Sequence, residues 1–195
     1  MALLTLDDIA DLRAYERERD AFRDHVIAIK RRRRVAVGPI VSLVFENRDT
    51  VRFQVQELAR AERMVSDTAV QAELDAYNPL IPAAGELSAT MFIELTSPAA
   101  LKMWLPRLIG IERCVAVQVG TDLIRAEPED AHAALLTRDE VTSTVHYVRL
   151  TLAPEEIDAW LTAALAVVID HPNYAHRTGL GAATRAELFG DLEGR

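Results

Sequence analysis

The chain has 195 residues, of which 50% are hydrophobic, with a formal net charge of −8 and a single cysteine, Cys114. That length and apolar share support one domain with its own core, without staples. One cysteine excludes an internal disulfide framework and a zinc ribbon, and the acidic balance argues against nucleic acid as a partner.

In chain order, Thr5 precedes Asp8 by three residues, a capping-box-like helix start. Leu12, Tyr15, Phe22, Val26 and Ile29 follow a three-and-four spacing, with Arg19 in one slot. That predicts a long amphipathic helix from Leu6 to Arg32. Its stripe would pack on the body of the protein or on a second copy, so a homodimer is one expectation. The basic run Lys30 to Arg34 reads first as a solvated helix end that complements the carbonyl dipole, and second as a phosphate-binding patch. The expected domain division is a helical arm over residues 1–34 and a single α+β domain over 35–195.

Val35–Glu46 is β-branched and apolar, with Gly38-Pro39 marking a bulge or the start of a strand. "TVRFQVQELARAER" is read as a helix capped by Thr50, and "DTAVQAELDAY" as a shorter helix from Asp67. Asn78–Leu87 is a loop set by Pro79, Pro82 and Gly85. "SATMFIEL" is a strand. "PAALKMWLPRLIG" is a helix opened by Ser97-Pro98, kinked by Pro106 and closed by Gly110. "CVAVQV" and "LIRAE" form a hairpin, "TSTVHYVRL" and "LAVVID" are strands, and "APEEIDAWLTAA" and "GAATRAELFGDL" are helices. The expected fold is α+β, with a mostly antiparallel sheet of about six strands packed with helices.

No nucleotide-binding loop, zinc-protease or serine-hydrolase signature is present. Cys114 opens an apolar strand and reads as an inert thiol. Two places could carry chemistry. At 100° per residue, Glu62 falls within the stripe of Val51, Val55 and Leu58, with Gln54 at its margin and Glu57 one turn from Gln54. A carboxylate on an apolar face must be paired, neutral or metal-bound. The plain reading is an ion pair with Arg52, Arg60 or Arg63. The functional one is a ligand-binding pocket of Gln54, Glu57 and Glu62. The second place is "HPNYAHR", where His171 and His176 flank Tyr174. Joined by His146 and the carboxylate of Glu94, they could bind a divalent metal, zinc or iron, with Tyr174 offering its hydroxyl to a ligand. The plain reading is a strand end held extended by Pro172, with His171 turned inward and His176 nearer solvent. His25 and His132 read as surface residues.

"FENRDTVRFQVQELARAER", "ELDAYNPLIP", "STVHYVRL" and "VVIDHPNYAHR" together resemble, in order and spacing, a bacterial family known only as a domain of unknown function. The resemblance covers nearly the whole chain. It implies an association with rubrerythrin-like proteins and an iron–sulfur oxidoreductase, and hence with peroxide, iron or electron transfer. One cysteine cannot hold an iron–sulfur cluster. The role so implied is that of an accessory protein with a protein partner, such as a redox protein. The alternative is a metal- or ligand-binding protein, or an enzyme, with a His/carboxylate site. The start "MALLTLDDIADL" lacks a basic region, and the longest apolar run is too short to cross a bilayer. A cytoplasmic location without membrane association is therefore expected.

Overall fold

The computed structural model describes residues 2–129 and 141–195; His132 lies outside them. The chain begins with a strap rather than a helix. Thr5 and Asp8 do form a capping box, but it closes only the single turn Leu6–Asp8. The first long helix, α1, is Leu12–Arg33, capped by Asp11, whose side chain accepts from the Arg13 and Ala14 amides. The expected start at Leu6 is thus corrected by one turn and a half, because Asp11 supplies a second cap. Tyr15, Val26 and Ile29 are buried, while Leu12 and Phe22 are half-buried. The stripe packs on the protein's own α2 and last helix, and on β2.

Strand β1 (Arg34–Val37) and β2 (Val41–Phe45) form a hairpin. Helices α2 (Arg48–Ala61) and α3 (Asp67–Tyr77) follow, then β3 (Glu86–Ile93) and α4 (Pro98–Trp104). Next come β4 (Val115–Val119), β5 (Asp122–Arg125), β6 (Glu127–Pro128) and β7 (Val145–Thr151). The chain closes with α5 (Pro154–Ala159), β8 (Leu165–His171), β9 (Tyr174–Gly179) and α6 (Ala182–Leu192). Among the described residues every strand pair is antiparallel, in two sheets ordered β1-β2-β3-β7-β6 and β5-β4-β8-β9.

The α+β class stands, but the sheet is split in two and, among the described residues, carries three more strands than expected. Gly38, at φ +75°, turns the chain back on itself, so one expected strand is two. "LIRAE" breaks at Ala126, and Glu127 joins the other sheet. "YAHRTG" pairs with β8 through the two-residue turn Pro172-Asn173. Both sheets place alternate residues in one core, including Leu43, Phe45, Met91 and Leu150 from one and Val117, Val167 and Ile169 from the other. The second face of the larger sheet is covered by α2 and α3, where Val51, Val55, Leu74 and Leu80 meet Tyr147.

The basic run is a solvated helix end at Arg31, Arg32 and Arg34, but not at Arg33. Arg33 is 1% exposed. Its guanidinium makes a two-pronged pair with Asp191 of α6 at 2.6 and 2.7 Å, reaches Glu187 at 3.2 Å, and donates to the Phe45 and Glu46 carbonyls. Arg32 also bonds Glu187, and Arg34 pairs with Glu94. The cap of α2 is corrected too: Asn47 accepts from the Thr50 amide, and the Thr50 hydroxyl accepts from the Asn47 amide. Removing one member of a buried pair strands the other charge in the core. Arg33→Leu or Asp191→Ala should therefore lower stability by about 3–5 kcal/mol, read from urea unfolding midpoints. The double change Arg33→Leu with Asp191→Leu should recover much of that loss.

Candidate functional site

The four expected metal ligands stand apart. Among the described residues, no three His, Cys, Asp or Glu side chains lie where they could hold a metal ion together. Glu94 is exposed, pairs with Arg34 and accepts from the Ser42 hydroxyl. His171 is buried with both ring nitrogens engaged by backbone. The Asn173 amide donates to Nδ1 at 3.2 Å, so Nε2 carries the proton and donates to the Ile109 carbonyl at 3.2 Å. No lone pair is left for a metal. His176 is exposed, its ring 4.4 Å from that of Tyr174. His171 therefore turns inward as the end of β8, and His176 outward.

His146 is buried on β7. Its Nε2 lies 3.0 Å from both the Thr142 hydroxyl and the Ser143 carbonyl. A carbonyl has no proton to give, so Nε2 is the donor and cannot activate Thr142 as a nucleophile. Nδ1 faces Glu112 Oε2 at 3.9 Å, and that oxygen is itself buried without a hydrogen-bond partner. Burial holds the imidazole below its usual pKa, against the pull of Glu112 and the Ser143 carbonyl. Glu112 carried no periodic signal in the sequence. It sits in a short 3-10 turn, Ile111–Cys114.

Tyr174 is a structural tie. Its hydroxyl donates to the Val37 carbonyl at 2.7 Å and accepts from the Ile40 and Val41 amides at 3.1 and 3.2 Å. It thus fills the open turn between β1 and β2. A Cβ on Gly38 would lie 2.5 Å from that oxygen, so only glycine fits there.

Of Gln54, Glu57 and Glu62, it is Glu57 that joins a partly buried ion pair. Glu57 is half-buried and takes both prongs of Arg19 from α1, at 2.7 and 2.9 Å, and the Tyr15 hydroxyl at 2.7 Å. Arg19 and Tyr15 hold the Glu57 carboxyl below its usual range against the opposing effect of burial. Its partner is the arginine that interrupts the stripe of α1, not one from its own helix. Arg52 and Arg60 likewise reach back to Glu18 and Glu16 of α1. Gln54 is half-buried. Glu62 is exposed, beyond the last residue of α2, because Arg63 at φ 54° has already ended the helix. The expected helical phase for Glu62 fails there. The buried amide of this helix is Gln56, which bonds the Ala10 amide and carbonyl at 3.0 and 2.8 Å.

That Gln56 clamp leads to a cleft. Asn78 makes the same double contact with Leu4, at 2.9 Å each way. Arg48 pairs with Asp8, and Arg52 donates to the Asp8 carbonyl. The strap is thereby held as one wall of a cavity of about 350 Å³, between the end of α2 and the start of α3. Leu6, Ile9, Ala59, Met64 and Val70 are among its lining residues, and Val65, 88% exposed, stands at its mouth. Leu6 and Asp67 also line a second hollow along α3, and Asp75 joins that to a third beside Leu3 and Arg149. The three hollows thus neighbour one another along the strap and α3, and a pocket of the first one's volume and apolar lining is a usual binding site. The available sequence signal was the three-residue spacing of Leu3, Leu6, Ile9 and Leu12, which reads equally well as helix.

The description "Protein of unknown function (DUF3501)" belongs to a family model that matches residues 3–192. A crystal structure titled as a novel protein of unknown function from Burkholderia pseudomallei K96243 is 35% identical, with a TM-score of 0.90, over 98% of this chain and 100% of that one. No curated protein matches the chain.

Two measurements check these assignments. Tyr174→Phe leaves two amides and a carbonyl of the β1–β2 turn without their partner, and should cost about 1–3 kcal/mol in chemical unfolding. His146 is depressed in the folded state, so the unfolded state takes up its proton first. Stability from this residue is complete above the unfolded value near 6.5 and is lost as pH falls below it. Urea unfolding at descending pH should show that loss in the wild type and a flatter profile in His146→Gln. Equal profiles between neutrality and the carboxylate range would remove His146 as the cause.

Proposed function

Because the chain belongs to the DUF3501 family, whose description names no reaction, we propose a function from its geometry: an accessory protein that docks an apolar segment of a partner protein. The groove between the strap, the end of α2 and α3 supports this reading. It combines an apolar floor, an exposed Val65 and a wall pinned by side-chain amides rather than by a sheet. An exposed apolar side chain beside a preformed cleft is a usual mark of an interaction site. The oxidative-stress and iron-linked setting implied by the sequence resemblance makes a redox protein of the same cell the first partner to examine. The cytoplasm is the setting proposed for the encounter. No helix among the described residues is long and apolar enough to cross a membrane.

A photo-crosslinking amino acid placed at Val65 in living cells tests the reading, with Glu155 on α5 as control position. A discrete adduct from position 65 that is missing from position 155, and that mass spectrometry identifies as a redox protein, is the expected result. The same products from both positions would mean that the groove has no partner.

A further inference from the structure

We infer that the strap is an intramolecular stand-in for a segment of a partner protein, and that the seat beneath it is a peptide-recognition site. The inference is separate from docking in the groove. The seat lies under residues 4–10, on α2 and on the Asn78–Leu80 turn, and the groove runs beside it. The first observation is how the strap is held. Among the described residues, no backbone group of residues 2–10 bonds to backbone outside the segment; the bonds from Asp8 to Thr5 and from Ile9 to Leu6 stay inside it. The hydrogen bonds that cross to it from the body come from side chains. Asn78 takes the Leu4 amide and gives to the Leu4 carbonyl, and Gln56 does the same for Ala10. A side-chain amide used this way offers the donor and acceptor that a neighbouring strand would. It therefore holds main chain of any sequence.

The second observation is what the seat selects. Leu4, 3% exposed, is the one buried side chain of the strap, and it joins Val51, Val55, Leu74, Leu80 and Ile81. One oxygen of Asp8 accepts from the Thr5 amide and hydroxyl at 2.9 and 3.1 Å, which closes a turn. Its other oxygen takes the Arg48 guanidinium, and Arg52 donates to the Asp8 carbonyl. The seat thus fits an apolar anchor followed by Thr-x-x-Asp, with free choice at the other positions. The third observation is that the strap and its seat are fixed separately. α2 is held by Arg19 of α1, and Val51, Val55 and Leu74 pack with Tyr147 of β7. A terminal segment with one buried side chain opens locally well before the whole fold does. The seat then stands formed and empty of its own strap. A tethered strap competes at an effective concentration on the order of millimolar, so a partner segment displaces it when a second contact holds that partner close.

A fluorescently labelled peptide of residues 2–11 tests this on the full-length protein. Leu4→Ala/Asp8→Ala loosens the tethered strap and leaves every residue of the seat in place. By fluorescence anisotropy the peptide should bind this variant about tenfold more tightly than the wild type, where the strap competes. Adding Asn78→Ala to the variant, or making Leu4→Asp in the peptide, should remove the binding. No binding to a double variant that keeps its cooperative melt would overturn the inference. A second measurement needs no variant. In the wild type the Leu4 and Ala10 amides should exchange hydrogen about a hundredfold faster than the bonded amides of β3. Equal protection would show that the strap does not open apart from the fold, and would overturn the inference as well. A dimer in sedimentation that Leu4→Ala/Asp8→Ala abolishes would seat the strap of a second copy there and overturn the assignment to a partner. None of these results bears on the crosslink expected at Val65.

Discussion

A single guanidinium joins the two ends of the chain. Arg33 ends α1, lies under the β2–α2 junction and meets α6 near the C-terminus. Each contact compensates part of the cost of taking a charge out of water. Asp191 supplies the opposite charge, and the Phe45 and Glu46 carbonyls take the hydrogen bond directed at the sheet. The long first helix is thereby fixed in direction, and everything it touches is placed relative to it. Its stripe meets α2, and its charged edge pairs with α2 through Arg19, Arg52 and Arg60.

The same placement explains how several polar groups inside the protein are used. His171, Tyr174 and Gln56 are each bound to backbone atoms of distant segments, and so act as joints. Glu46 is buried and receives the Thr90 hydroxyl on one oxygen, while its other oxygen has no hydrogen-bond partner. Tyr147 beside it is pushed up to about 12, by burial first and then by Tyr77 and Glu46. His146 and Glu112 form the other buried pair, between the core and a 3-10 turn.

What could be read from the sequence was local. "SATMFIEL", "LAVVID" and the spacing from Leu12 to Ile29 each declare their element, since burial imposes a period. Contacts across elements impose none. Nothing near Arg19 says that Glu57 is its partner, and nothing near Gln56 says that it will hold Ala10. Helix ends fail for a related reason. Arg63 enters the left-handed region without the glycine that usually announces it, so a projection carried through to Glu62 lands on the wrong side. The histidines of "HPNYAHR" were placed correctly in and out by Pro172 and the alternation of the strand. Their failure to converge with His146 and Glu94 is a matter of which strands neighbour which, a property of the whole topology.

The Tyr174 hydroxyl closes a turn more than a hundred residues upstream. Until that side chain arrives, the turn at Gly38 exposes two amides and a carbonyl, and the first hairpin is left ajar. During synthesis the N-terminal half of the larger sheet emerges long before its latch does. That latch is made only once the last strands are in place, and loop-closure entropy has to be met across that whole interval. The first hairpin of this protein therefore carries an unsatisfied turn until a residue 137 positions later supplies its partner.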